Sequence, residues 1–136
     1  MDSLQLTLVT PLKKILEGVE VTEIKVPAQK GQLTIYPDHS PLVTTLETGV
    51  LSYLEKGQSQ AKKAVITWGY CEVINGEVRL LAETAETLEQ IDVDAAKKVK
   101  AEAEKSLASN KLNPDEIEEA QAALKKADAE IELSLN

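Results

Sequence analysis

Cys71-Glu72-Val73-Ile74-Asn75-Gly76-Glu77-Val78-Arg79-Leu80 reads as two short strands joined by an Asn-Gly pair. Both central residues tolerate positive φ, the backbone state that a tight antiparallel turn requires. Val78 and Leu80 alternate with charged residues, and period two marks a half-buried strand. The same period runs through the preceding chain in Leu4, Leu6 and Leu8, in Val19 and Val21, in Ile24 and Val26, and in Leu33 and Ile35. Its phase slips between Val21 and Ile24, which predicts a bulge or a corner where the strand changes sheets. Turn signals at Gly18, Pro27, Lys30-Gly31, Pro37, Gly49 and Lys56-Gly57 divide this half into short strands. Such spacing predicts an antiparallel β-sandwich or barrel.

After Leu81 the composition turns to Ala, Glu, Lys and Asp, and the period becomes helical. Asp92 can cap a first helix, with Asp94 in its first turn and Val93, Ala96, Val99, Ala103 and Leu107 on one stripe. Asn113-Pro114-Asp115-Glu116 is a compact start signal for a second: an Asn cap, Pro at the first helical position, and a Glu placed to close a capping box. Its apolar positions Ile117, Ala120, Leu124, Ala127 and Ile131 fall alternately three and four apart, the spacing of a coiled-coil seam. The expected fold is therefore α+β, with a β-sandwich over 1–86 and a two-helix antiparallel hairpin over 87–136. An alanine methyl contributes roughly 0.8 kcal/mol on burial against roughly 1.5–3 for a Leu or Ile, so the seam is weak. Either the hairpin can undock, or alanine lets two permanently packed helices approach closely.

With 136 residues, 43% hydrophobic and only 3% aromatic, the chain can build one modest aliphatic core. A formal charge of -8 repels nucleic-acid phosphates and anionic lipid headgroups, and leaves proteins with basic or neutral faces as the expected partners. One cysteine, Cys71, rules out an internal disulfide, and one histidine leaves no Cys/His zinc set. A reducing compartment fits this usage. The start lacks the basic and apolar stretches of a signal peptide, and no apolar run approaches the roughly eighteen residues of a membrane span. A soluble chain is expected.

That histidine, His39, lies in Gly31-Gln32-Leu33-Thr34-Ile35-Tyr36-Pro37-Asp38-His39-Ser40-Pro41-Leu42, between two prolines that fix the shape of a loop. As a general base His39 needs a nucleophile and an orienting acid on one substrate atom. Its neighbours Asp38 and Ser40 are adjacent on a turn and rarely converge in that way. The plain alternative is a His39 that ties down its own backbone.

The same segment resembles the glycine-rich stretch ending in Pro-Gly-His-Ala-Pro-Leu of the epsilon subunit of bacterial and plastid F-type ATP synthases, the counterpart of the mitochondrial delta subunit. Leu46-Glu47-Thr48-Gly49, then Gly69-Tyr70-Cys71-Glu72-Val73, similar to Gly-Phe-Ala-Glu-Val, and Leu80-Leu81-Ala82-Glu83-Thr84-Ala85-Glu86 follow in the family's order before Ile91-Asp92. The resemblance spans essentially the whole chain. It implies a sandwich and hairpin, no catalysis and no cofactor. It also implies a rotor-stalk role: binding the gamma subunit and the c ring, coupling ion-driven rotation to ATP synthesis, and in many bacteria restraining hydrolysis through the hairpin, which can reach the alpha and beta subunits. The location implied is the cytoplasmic face of the inner or plasma membrane, through the complex.

By the same resemblance, Gln29, Lys30, Gly31, Gln32 and His39 form the c-ring contact. Glu83, Asp92 and Lys126 match positions of the family's nucleotide-sensing members. There the first helix opens Ile-Asp-x-x-Arg-Ala; here Ile91-Asp92-Val93-Asp94-Ala95-Ala96 has Ala95 in place of the arginine, and the two arginines of the second helix become Lys126 and Glu130. Most bidentate phosphate recognition is thereby lost. A nucleotide-responsive binding domain is the alternative to the stalk subunit. Trp68, where the family usually has glycine, either fills a pocket or lies on the surface, where Trp is a common anchor at protein interfaces. Cys71, on an apolar strand without basic neighbours, is expected to be a buried, inert thiol.

Overall fold

The computed structural model describes residues 2–135. Strands β1 (Leu4–Val9), β2 (Lys14–Ala28), β3 (Gly31–Ile35), β4 (Leu42–Leu46), β5 (Gly49–Glu55), β6 (Lys62–Ile66), β7 (Gly69–Ile74), β8 (Glu77–Ala82) and β9 (Ala85–Glu86) come first. A 3₁₀ turn (Leu88–Gln90) leads to helices α1 (Val93–Ala108) and α2 (Pro114–Ser134).

Asn75 and Gly76 take φ of 48° and 78° and close the β7–β8 hairpin, as the Asn-Gly pair predicts. The slip in phase after Val21 is a corner. The first half of β2 pairs with β1 up to Val21, and the second half pairs with β5 from Val21, across a register shift between Val21 and Glu23, and with β3 from Ile24 onward. One long strand thus joins two layers. The first runs β4–β7–β8–β1 to the start of β2; the second runs β3, the end of β2, β5, β6 and β9. Antiparallel pairing holds throughout, except that β1 lies parallel to β8, Leu6 opposite Val78. No hairpin links those two strands, so nothing in the connection forces them to oppose.

Between the layers sits an aliphatic core of Leu4, Leu6, Leu8, Val21, Ile24, Val26, Ile35, Leu46, Leu51, Ile66 and Leu80, each at most 1% exposed. Cys71 is buried among them, and burial pushes its thiol up to about 12. Gly69 on β7 is required by contact: a Cβ there would collide with the carbonyl oxygen of Leu81 on the neighbouring strand.

The helices form as their caps predict. Asp92 Oδ1 accepts from the Ala95 N–H at 3.1 Å, and Asn113 Oδ1 accepts from the Glu116 N–H at 2.8 Å. Glu116 returns a bond from the Asn113 N–H at 3.1 Å, which completes the capping box. The two helices pack on each other, and α2 rests on β5, β6 and the 3₁₀ turn. Among the described residues, no helix is long and apolar enough to cross a membrane.

Candidate partner-binding surfaces

The end of the sandwich carrying the Gln29-Lys30 turn is built by β2 and β3, whose last pair is Ala28 with Gly31. Gly31 sits at φ +112°, a conformation that side chains strain, and Gln29, Lys30, Gly31 and Gln32 are all exposed. Leu46 on β4 pairs with Ala28 and β4 runs antiparallel to β2, so the chain entering β4 at Leu42 lies beyond the end of β2. The loop 36–41 thus runs from the far end of β3, where Ile35 pairs with Ile24, to Leu42 beyond the end of β2. Within it, the His39 N–H donates to the Tyr36 carbonyl at 3.1 Å and Asp38 takes φ 69°, a type II turn with Pro37 at its first corner. His39 Nδ1 lies 2.7 Å from the Ser40 carbonyl oxygen. That bond orients the ring.

A second surface covers the outer face of the first layer. Facing away from the core, Thr45, Tyr70, Leu81 and Val9 form one cross-strand row, and Val43, Glu72, Arg79 and Thr7 the next. Val43, Leu81, Trp68 and Tyr70 are 72%, 54%, 51% and 45% exposed. Trp68 stands edge-on to Tyr70 with ring centroids 5.2 Å apart. Beside them, a cavity of about 270 Å³ is lined by Thr10, Pro11, Gly69, Ala82 and Glu83 as well. The sequence signal for this face is phase: Val43 and Leu81 are apolar at positions where the strand alternation calls for polar residues. Trp68 lies on the surface.

The residues matched to nucleotide sensing sit apart in their chemistry. Glu83 is exposed at the edge of the Trp68 cavity, and Asp92 spends its carboxylate on the α1 cap. Lys126 faces Glu86 of β9 with Nζ 3.6 Å from Oε1, and Glu130, one turn further along α2, carries a carboxyl raised above its usual range by partial burial and by Glu86. The two positions that would carry arginines thus face a carboxylate of the sandwich. Sequence reasoning missed Glu86 and Glu130 as a pair, because β9 is only two residues long and carries no period.

Along the hairpin, Ala103 and Ala127 are buried, Leu107, Ala120, Leu124 and Ile131 are half-buried, and Val99 and Ile117 remain 41% and 38% exposed. Lys100 bridges the helices to Asp128 at 2.9 Å. The contact to the sandwich is small: Ala129 and Leu133 of α2 meet Val65 of β6, with Val50 and Ile91 packed at the margin.

The architecture is that of a β-sandwich carrying a C-terminal helical hairpin. Residues 3–88 match the sequence model of the ATP synthase delta/epsilon chain β-sandwich domain, and residues 89–134 match that of its long α-helix domain. The chain is 45% identical over 130 residues to the ATP synthase epsilon chain of Bdellovibrio bacteriovorus, covering 96% of this chain and 93% of the relative. It is 40% identical over 115 residues to that of Geotalea daltonii, covering 85% and 80%. In shape it is similar to a chain of the Euglena gracilis mitochondrial ATP synthase (OSCP/F1/c-ring), with a TM-score of 0.87 at 24% identity, over 100% of this chain and 83% of that one. The chain belongs to the ATP synthase delta/epsilon family.

Proposed function

We propose that the chain is a non-catalytic central-stalk subunit of an F-type ATP synthase that links gamma to the c ring and couples ion-driven rotation to ATP synthesis. It divides its work at residue 86: the sandwich anchors and the hairpin acts. The observation that carries this reading is the outward apolar face of Val43, Tyr70, Leu81 and Trp68. Contiguous apolar surface on a sheet stays in water only at a cost, and an aromatic pair beside a cavity is a usual anchor for a partner. Gamma is the partner assigned to this face. The exposed turn of Gln29, Lys30, Gly31 and Gln32, together with the half-buried His39, is assigned to the c ring, where a positive-φ glycine allows close backbone approach. The complex holds the chain at the cytoplasmic face of the membrane, and the hairpin restrains hydrolysis by leaving its weak seat to reach the alpha and beta subunits.

Copurification with gamma tests the assignment. Leu81→Asp and Tyr70→Asp put charge on the apolar face without touching the core, and each is expected to weaken binding at least tenfold while the sandwich stays folded by circular dichroism. Unchanged binding in both would move gamma to another surface. Lys30→Glu is expected to spare gamma binding and to reduce retention on the intact complex with its c ring.

A further inference from the structure

The contact between α2 and the sandwich carries a group of charges in which one buried carboxylate oxygen has no hydrogen-bond partner. Thr67 and Thr84 position β9: the Thr84 N–H donates to Thr67 Oγ1 at 2.9 Å, and the Thr67 N–H donates to the Thr84 carbonyl at 3.1 Å. This sets Glu86 opposite Val65, the residue of β6 on which Ala129 and Leu133 sit. Glu86 Oε1 is shut off from water and accepts no hydrogen bond. Lys126 Nζ, at 3.6 Å, balances its charge but is too distant to donate well. Glu130 lies one turn beyond Lys126 on α2 and so shares the helix face turned toward Glu86, whose carboxylate contributes to the rise of the Glu130 carboxyl. Two ionised carboxylates are both acceptors and repel; one proton between them turns the pair into a hydrogen bond.

We propose that Glu86, Glu130 and Lys126 form a proton-operated latch that holds the helical hairpin on the sandwich. With the proton, taken from solvent, Glu130 donates to Glu86 and the buried oxygen gains its partner. Without it, two negative charges face each other against a single lysine, and the small apolar seat of Val65, Ala129 and Leu133 must hold the hairpin alone.

Burial, then Glu86, raise the carboxyl of Glu130 above its ordinary value of 4.5, while Lys126 opposes them. Undocking returns Glu130 to water and to that ordinary value. A group that binds its proton more tightly when docked stabilises docking fully below the ordinary value, and loses that effect as pH rises through the raised one. Acid therefore closes the latch and neutral pH loosens it. Other charges on the packed elements are engaged elsewhere or act weakly on this pair. Lys62 of β6 pairs with Glu55 of β5 at 3.1 Å, Glu89 of the 3₁₀ turn accepts from the Thr87 hydroxyl at 3.3 Å, and Lys100 of α1 holds Asp128. Lys125 of α2 pairs with Glu47 at 3.4 Å, Lys63 of β6 and Glu132 of α2 line a separate hollow with Lys25 and Gln32, and the charges that act on Glu130 are those of Glu86 and Lys126.

The latch is a property of the isolated chain and does not rest on the stalk assignment. Amide hydrogen exchange of Ala127 and Ala129 in the full chain reads how often α2 opens. Comparing wild type with Glu130→Gln at matched pH cancels the pH dependence of the exchange chemistry, and Gln donates to Glu86 at every pH. Well below pH 4.5 the two proteins are expected to open equally often. At pH 7.5 the wild type is expected to open several-fold more often, with about tenfold corresponding to each pH unit by which the docked carboxyl is raised. Lys126→Met, which removes the opposing cation, is expected to shift the wild-type transition to higher pH, and supplies the test if the glutamine variant does not fold. A wild-type to glutamine ratio that stays constant with pH, or a transition unmoved by Lys126→Met, would overturn the latch.

Discussion

The sandwich and the hairpin belong to one chain, yet different packing holds them. Leu6, Leu8, Ile24, Ile35 and Leu51 of the sandwich have no exposed surface, whereas the buried residues of the hairpin are Ala96, Ala103, Ala127, Ala129 and Leu133. Each large aliphatic side chain contributes roughly 1.5–3 kcal/mol on burial and each alanine methyl roughly 0.8. The first region is therefore fixed by bulk, and the second is seated by a few contacts that a modest change can tip. Fixed shape suits a surface that must match partners; a marginal seat suits an arm that moves.

Mutations sharpen this contrast in graded steps. Leu80→Ala, in the middle of β8, is expected to destabilise the sandwich by about 2–5 kcal/mol, seen as a lower denaturation midpoint for strand signals. Gly69→Ala drives a methyl group into the Leu81 carbonyl and is expected to cost about 1–3 kcal/mol by the same measurement. Leu133→Ala is expected to cost about 2 kcal/mol of docking, with faster exchange in α2 and unchanged exchange in β7 and β8. A Leu133 change that melted the strands as well would merge the two regions into one cooperative unit and break the comparison. The smallest step is Asn113→Ala, which removes the α2 cap and is expected to cost about 1 kcal/mol of helix stability alone. Cys71 offers a chemical check: its buried, raised thiol is expected to stay unreactive toward a disulfide reagent at pH 8 until denaturant opens the sandwich.

Much of this contrast was legible in the residues. Asn75-Gly76 specified its turn because two consecutive positive φ angles admit few other pairs, and the caps at Asp92 and Asn113 specified helix starts because their side chains replace missing backbone partners. The slip between Val21 and Ile24 marked the corner of β2 for the same local reason. The parallel seat of β1 beside β8 was not legible, since it depends on how the sheet closes and not on any period. Nor was the Glu86–Glu130 pair, whose members are far apart in sequence and meet only when α2 lies on β6 and β9. The outer face of Val43, Tyr70 and Leu81 lay between these cases. Its apolar residues were visible out of phase, but their alignment into one surface required the register.

The central claim is that the sandwich anchors while the hairpin acts. ATP hydrolysis by the cognate alpha, beta and gamma assembly tests it most directly, measured with the full chain and with a chain ending at Glu89, each confirmed as bound. The account predicts that both bind and that hydrolysis is faster with the shortened chain. Equal rates with both bound, or failure of the shortened chain to bind, would contradict it.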